Sequence, residues 1–220
     1  MQAYVDFMEV AGARVVPIVY GEDQSVTDDK LSKINGVLFP GGSGDYLEIG
    51  DHIYTSLISE NDSGKFYPLW GTCLGFENLA IFASSSGSPL SALLAAEHSL
   101  TLDFLVDPKS TKMYSEMSED PAYYSEEAML YNSHHYGINL DTFSSDEGLG
   151  KMFTPTALST DPESGDTFVA SMESPNYPFF GTQFHPEKVL TLYNNPALDH
   201  SWTSVHYNRY FADRFMQLAR

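Results

Sequence analysis

Tyr67-Pro68-Leu69-Trp70-Gly71-Thr72-Cys73-Leu74-Gly75-Phe76-Glu77 decides how the rest of this 220-residue chain is read, because it sets the only cysteine between two glycines where an apolar run turns into a helical pattern. A strand ends near Trp70, a sharp turn puts Cys73 at its tip, and Leu74 to Phe82 continues with apolar residues at helical spacing. This is the sequence form of a nucleophile elbow. Gly71 and Gly75 suit it because a side chain at either would crowd the backbone where strand and helix nearly touch. A thiol at the tip also faces the first helical N–H groups, whose partial positive charge favours thiolate over thiol. The bland alternative is a buried structural cysteine. A core position, however, has no use for both flanking glycines.

A cysteine nucleophile needs a base, and Phe179-Phe180-Gly181-Thr182-Gln183-Phe184-His185-Pro186-Glu187-Lys188 offers one. The apolar run into His185 reads as a strand, and Pro186 stops it. His185 would then stand at a strand's carboxyl end, level with the elbow, while Glu187 turns back to hold the imidazole in one tautomer. A lone strand-end histidine is ordinarily a surface or packing residue. The elbow is what gives this one a chemical reading.

Composition bounds the class. The chain is 42% hydrophobic and 14% aromatic, as a globular domain is, and no apolar run is long enough to span a membrane. Eleven basic against 30 acidic residues leave a formal charge of −19, which argues against nucleic acid and anionic membranes as partners. A single cysteine excludes an internal disulfide. No basic, apolar signal segment precedes Tyr4, and the sequon Asn61-Asp62-Ser63 would carry a glycan only in a secretory lumen.

Read in order, Met1 to Ala11 has helical periodicity and Gly12 ends it. Val15 to Val19 reads as a strand, Thr27 to Lys33 as a brief helix with Thr27 a possible cap, and Ile34 to Phe39 as a buried strand. Pro40-Gly41-Gly42-Ser43-Gly44 is either a tight turn or a set of unhindered N–H groups offered to an anion; the spacing matches neither dinucleotide nor P-loop patterns. Tyr46 to Ser59 is a helix, and Ser84 to Pro89 a loop. The resulting αβαβαβα order predicts a mainly parallel sheet with a site at the strands' carboxyl ends. Ser99 to Val106 gives a further strand signal, and Ser110 to Met117 and Tyr123 to Met129 read as short helical pieces. Asn132-Ser133-His134-His135-Tyr136-Gly137 reads as a solvated loop; no carboxylate or cysteine stands at a metal-ligand spacing, so no metal or other cofactor is expected. Phe153 to Thr160, Thr167 to Glu173 and Phe179 to Phe184 form an antiparallel edge that returns His185, and Val205 to Leu218 closes the chain as an amphipathic helix.

These residues resemble the class I glutamine amidotransferase-like superfamily, and within it the gamma-glutamyl hydrolases. The resemblance rests on Ala11 to Pro17, Ile34 to Ser43, the elbow and Gln183 to Lys188, in that order along nearly the whole chain. It implies a flavodoxin-like, three-layer α/β sandwich formed by residues 1–220 as one domain. It implies Cys73, His185 and Glu187 as catalytic residues, the N–H groups of Gly42 and Leu74 as an oxyanion hole, and His134, Gly41 and Ser43 at the substrate. It further implies folylpoly-gamma-glutamate as the small-molecule substrate, a homodimer, and a lysosomal, vacuolar or extracellular setting. Members of that family begin with a signal sequence and a β-strand before the helix matching Met1 to Ala11. The resemblance therefore predicts an N-terminally truncated domain, its first strand missing, in which Val15 to Val19 and Ile34 to Phe39 pair with each other or leave polar groups open. Two rivals are a glutaminase subunit that passes ammonia to a synthase, and a truncated, inactive paralogue.

Overall fold

The computed structural model describes residues 2–220, less the side chains of residues 94–96. Its order is α1 (Gln2–Val10), α2 (Gln24–Leu31), β1 (Val37–Phe39), α3 (Leu47–Asp62), β2 (Leu69–Thr72), α4 (Leu74–Ala83), β3 (Ser91–Leu100), β4 (Asp103–Phe104), α5 (Tyr123–Glu126), β5 (Leu130–Gly137), α6 (Leu140–Ser145), α7 (Glu147–Met152), β6 (Thr154–Thr160), β7 (Thr167–Glu173), β8 (Phe179–Thr182), α8 (Pro186–Thr191) and α9 (Trp202–Leu218). Six strands form one sheet in the order β1-β2-β8-β7-β6-β4, and β3 pairs with β5 in a separate two-stranded sheet.

Alternation along the central strands builds the layers. Trp70 and Phe180 point to a face covered by Phe7 and Met8 of α1 and by Phe211 and Phe215 of α9. Leu69 and Phe179 point to the other, covered by Ile53, Tyr54 and Leu57 of α3 and by Phe76 and Leu79 of α4. The α/β sandwich expected from the sequence is present, but its parallel part is confined to β1, β2 and β8. The pairings of β8 with β7, β7 with β6 and β6 with β4 are antiparallel. The antiparallel edge thus occupies half of the sheet.

Several boundaries differ from the expectation for physical reasons. Val15 to Val19 is not a strand: Val15, Val16 and Val19 are 37%, 45% and 56% exposed, and Pro17 has no N–H to give a ladder. The segment pairs with no strand among the described residues, and β1, which begins only after Gly36, stands at the sheet's edge. The helix foreseen at Thr27 starts at Gln24. Thr27 lies inside it, fully buried, with its hydroxyl donated to Glu22 Oε1 at 3.1 Å, and it caps nothing. Asn132 to Gly137 is part of β5 rather than a solvated loop, held to β3 with His134 opposite Ala95.

Candidate active site

β2 and β8 run side by side in register, with Gly71 opposite Gly181 and Thr72 opposite Thr182. Two parallel neighbours that end together bring whatever follows them to one place. After β2 comes Cys73, whose N–H donates to Thr182 O at 2.8 Å. Its φ of 52° and ψ of −109° make the sharp turn, a conformation that a side chain rarely adopts and that the neighbouring glycines permit. A Cβ at Gly71 would lie 2.5 Å from the Gly75 carbonyl oxygen, and one at Gly75 would run into the Phe39 carbonyl of β1. Both glycines are therefore required by close backbone approach, as the elbow reading demanded. Leu74 opens α4, so its N–H has no intrahelical carbonyl to serve.

After β8 the chain passes through Gln183 and Phe184 to His185, whose N–H donates to Tyr131 O of β5 at 2.8 Å. His185 is the residue before α8, with Pro186 in the first turn, and this turn carries Glu187 back over the imidazole. His185 Nδ1 and Glu187 Oε1 are 2.7 Å apart, with both residues buried. The ring's other nitrogen is left for the sulfur, and Cys73 lies near enough to favour the charged imidazole. Burial alone would discharge this imidazole. The Glu187 carboxylate and Cys73 outweigh burial and push His185 up to about 9.

The Gly41–Gly44 loop forms the third side. A Cβ at Gly41 would sit 2.8 Å from His185 Cε1 and 3.0 Å from Cys73 Cβ, so the loop packs directly on the pair. Gly41 donates its own N–H to the hydroxyl of Tyr4 at 2.7 Å. Gly42 is exposed with φ of 135°, and a Cβ there would meet nothing within 4 Å; Ser43 is also exposed. Cys73, His185, Glu187 and Gly41 are thus brought together, with Leu74 and Gly42 next to Cys73 and Gly41 in the chain.

His134 fits the expectation less well. It is buried on β5, near enough to His185 to feel its charge, and desolvation pushes it down to about 4, so it is neutral. Nδ1 lies 2.8 Å from Tyr136 O and Nε2 3.2 Å from Asn132 Oδ1, and a neutral ring has one N–H, so it donates to one of these two oxygens. Its ring stands edge-on to Phe168. Sequence reasoning did not single out Tyr4 of α1, since a tyrosine at an apolar helical position looks like packing. Nor did it single out Glu77 and Gln183, which meet behind the elbow with Gln183 Nε2 donating to Glu77 Oε1 at 3.1 Å. Burial raises Glu77 to about 7 against the lowering effect of that bond and of His185. Both residues lie inside stretches already quoted for their motifs, and only the pairing across two strands reveals them.

A site of this build, with a sulfur on a strained turn, a buried His–Glu pair and a free helix N-terminus, can carry acyl transfer. Residues 6–203 match the glutamine amidotransferase class-I family model. This chain belongs to that family. It is 32% identical to the human gamma-glutamyl hydrolase over 225 residues, covering 99% of the chain and 70% of the relative. It is likewise 32% identical to gamma-glutamyl hydrolase B of Dictyostelium discoideum, covering all of the chain and 65% of the relative. The same identity to gamma-glutamyl hydrolase 1 of Arabidopsis thaliana covers 99% and 64%. The chain therefore spans slightly less than two thirds of the last two. Among solved structures, its fold is similar to the CTPS glutaminase domain of Trypanosoma brucei with bound acivicin, at a TM-score of 0.62 and 18% identity over 99% of this chain and 87% of that one. It is also similar to a glutamine amidotransferase of Thermotoga maritima, at a TM-score of 0.54 and 11% identity over 86% of this chain and 80% of that one.

Proposed function

We propose that the chain is a cysteine-nucleophile hydrolase of gamma-glutamyl amide bonds, with folylpoly-gamma-glutamates as its substrate class. The observation that carries the reading is the buried Cys73–His185–Glu187 arrangement in a chain whose slime-mould, plant and mammalian relatives are all named gamma-glutamyl hydrolases. In the reaction the Cys73 sulfur anion attacks the gamma carbonyl carbon and the C–O π pair moves onto oxygen. That oxyanion leans on the N–H groups of Leu74 and Gly42. As the carbonyl re-forms, the C–N bond breaks and His185, still protonated at neutral pH, gives its proton to the departing amine. Neutral His185 then takes a proton from water, whose oxygen displaces sulfur from the thioester and frees the gamma-carboxylate. Glu187 keeps the imidazole in the one tautomer that allows both transfers.

His134, Gly41 and Ser43 are the substrate-binding residues of this reading, supported by the family resemblance alone. Among the described residues no helix is long and apolar enough to cross a membrane. A homodimer and a lysosomal, vacuolar or extracellular setting belong to the same reading and are supported by the family alone. The test is release of glutamate from a pteroyl-gamma-oligoglutamate by the wild-type chain and by Cys73→Ala. A thiol-dependent release lost in the variant is expected, and release from free glutamine only, stimulated by an added synthase, would overturn the substrate assignment.

A further inference from the structure

Tyr4 reaches into the site from α1, an element that carries none of the motif residues. Its hydroxyl accepts the Gly41 N–H at 2.7 Å and lies 3.3 Å from His185 Nδ1. A Cβ on Gly41 would come within 2.5 Å of that oxygen, so the phenol is one reason this position is glycine. A hydroxyl oxygen has two lone pairs. His185 Nδ1 gives its hydrogen to Glu187 at 2.7 Å and, more weakly, to the phenol oxygen at 3.3 Å, so that oxygen accepts from two sides. Burial first, then the nearby Glu187 and Cys73, drive the phenol's ionisation far above the ordinary tyrosine range, so it remains a donor at every working pH.

We infer that Tyr4 is a positioning residue that ties the Gly41–Gly42 loop to His185, its oxygen accepting from the Gly41 N–H and sharing the His185 Nδ1 hydrogen. The inference rests on the hydrolase reading above only for what the site does, and the bonding pattern stands without it. Two consequences follow from one oxygen. With Gly41's N–H held by the phenol, the loop cannot swing without losing a part-buried bond. With the phenol oxygen as a second acceptor at Nδ1, the charged form of His185 is favoured beside Glu187. The titratable groups that face His185 are then Glu187 of α8, Cys73 of the elbow, Tyr4 of α1, Glu77 of α4 and His134 of β5.

The test is Tyr4→Phe, which keeps the ring and removes the oxygen, beside Tyr67→Phe, which deletes a buried hydroxyl bonded to Leu31 O at the other end of β2. Hydrolysis of a gamma-glutamyl substrate by Tyr4→Phe should show kcat lower by about 10- to 100-fold with KM within about twofold, since the loss is in geometry at the reacting centre. The basic limb of its pH–rate profile should move downward, because the imidazolium loses an acceptor at Nδ1. Tyr67→Phe should lower stability and leave that limb in place. The same shift should appear in the pH dependence of Cys73 alkylation by iodoacetamide, which needs no substrate. If the wild-type chain cleaves no gamma-glutamyl bond, the proposed function fails while the alkylation profile still judges Tyr4. The position of a pH limb does not depend on how much of the variant is folded, so a profile that superimposes on wild type in both assays overturns the inference.

Discussion

Glu187 Oε1 stands 2.7 Å from His185 Nδ1 although the two residues are separated only by Pro186, because the first turn of α8 folds one back over the other. The pair is buried, so the carboxylate is what keeps the imidazole charged. In Glu187→Gln that upward influence is gone and burial dominates, so the protonated form of His185 is lost at a lower pH. A pH–rate profile should show the basic limb falling from near 9 toward or below the ordinary histidine value of about 6.5, with maximal kcat reduced about 10- to 100-fold. His185→Asn should be more severe, about 1,000-fold, because the proton carrier itself is removed. Equal losses for the two would assign Glu187 a direct part in proton transfer.

The Gly42 loop yields a different expectation. At φ of 135° no L-residue is comfortable and proline, fixed near −65°, cannot enter, yet there is open space around the position. Gly42→Ala should therefore cost about 1 kcal/mol of backbone strain, with no side-chain clash, while the rebuilt loop loses its N–H alignment and kcat drops about 100-fold. An unaltered kcat in the folded variant would make the loop a turn and nothing more.

Asp146 holds the loop after α4 to the start of α7. It accepts from Ser84 Oγ at 2.5 Å, from the N–H groups of Ser85 and Ser86 at 2.9 and 3.3 Å, and from those of Gly148 and Leu149 at 3.0 Å each. Partial burial would raise its carboxyl, but these bonds hold it well below the usual carboxylate range. A depressed folded value contributes stability that is complete above the unfolded value of about 3.9 and is lost as pH falls through the folded one. Asp146→Asn keeps the cap oxygen but loses the acceptor for Ser84 Oγ and Ser86 N, so it should be about 1 kcal/mol less stable than wild type across pH 5 to 8, and the gap should begin to narrow below about pH 4. A gap that widens in acid would contradict this.

Asn61 looks like a glycan acceptor in the sequence and behaves as a structural clasp in the fold. Its Nδ2 donates to Leu57 O at 2.8 Å and Tyr67 O at 2.9 Å while Oδ1 accepts from Tyr67 N at 3.1 Å, which fastens the end of α3 to the entry of β2. Asn61→Ala should cost about 1 to 3 kcal/mol in denaturant unfolding. A glycan on Nδ2 would displace one of these donors, so the intact mass of chain made in a secretory host should show Asn61 unmodified.

How far the sequence could be read tracks where local chemistry decides structure. The elbow was legible because two glycines and a lone cysteine have few other uses, and Pro186 marked the strand end that presents His185. Thr167 to Glu173 was legible to the residue, since turn chemistry bounds it on both sides. β5 was not, because Asn132, Ser133, His134 and His135 are poor strand formers that stay extended only through pairing with β3. Val15 to Val19 misled in the opposite sense: β-branched residues suit a strand, but a strand exists only where a neighbour accepts its hydrogen bonds. Tyr4 was invisible because its role depends on an oxygen meeting Gly41, 37 positions away.

The central claim is that Cys73 becomes acylated by a gamma-glutamyl group and that water releases it. Acid quench of the wild-type chain during turnover of a pteroyl-gamma-oligoglutamate, followed by digestion and mass measurement of the Cys73 peptide, tests it most directly. The expected result is an acyl adduct on Cys73 that disappears as substrate is exhausted, with turnover by Cys73→Ala lower by about 1,000-fold or more. An unmodified Cys73 peptide during active turnover, with Cys73→Ala within tenfold of wild type, would contradict the account.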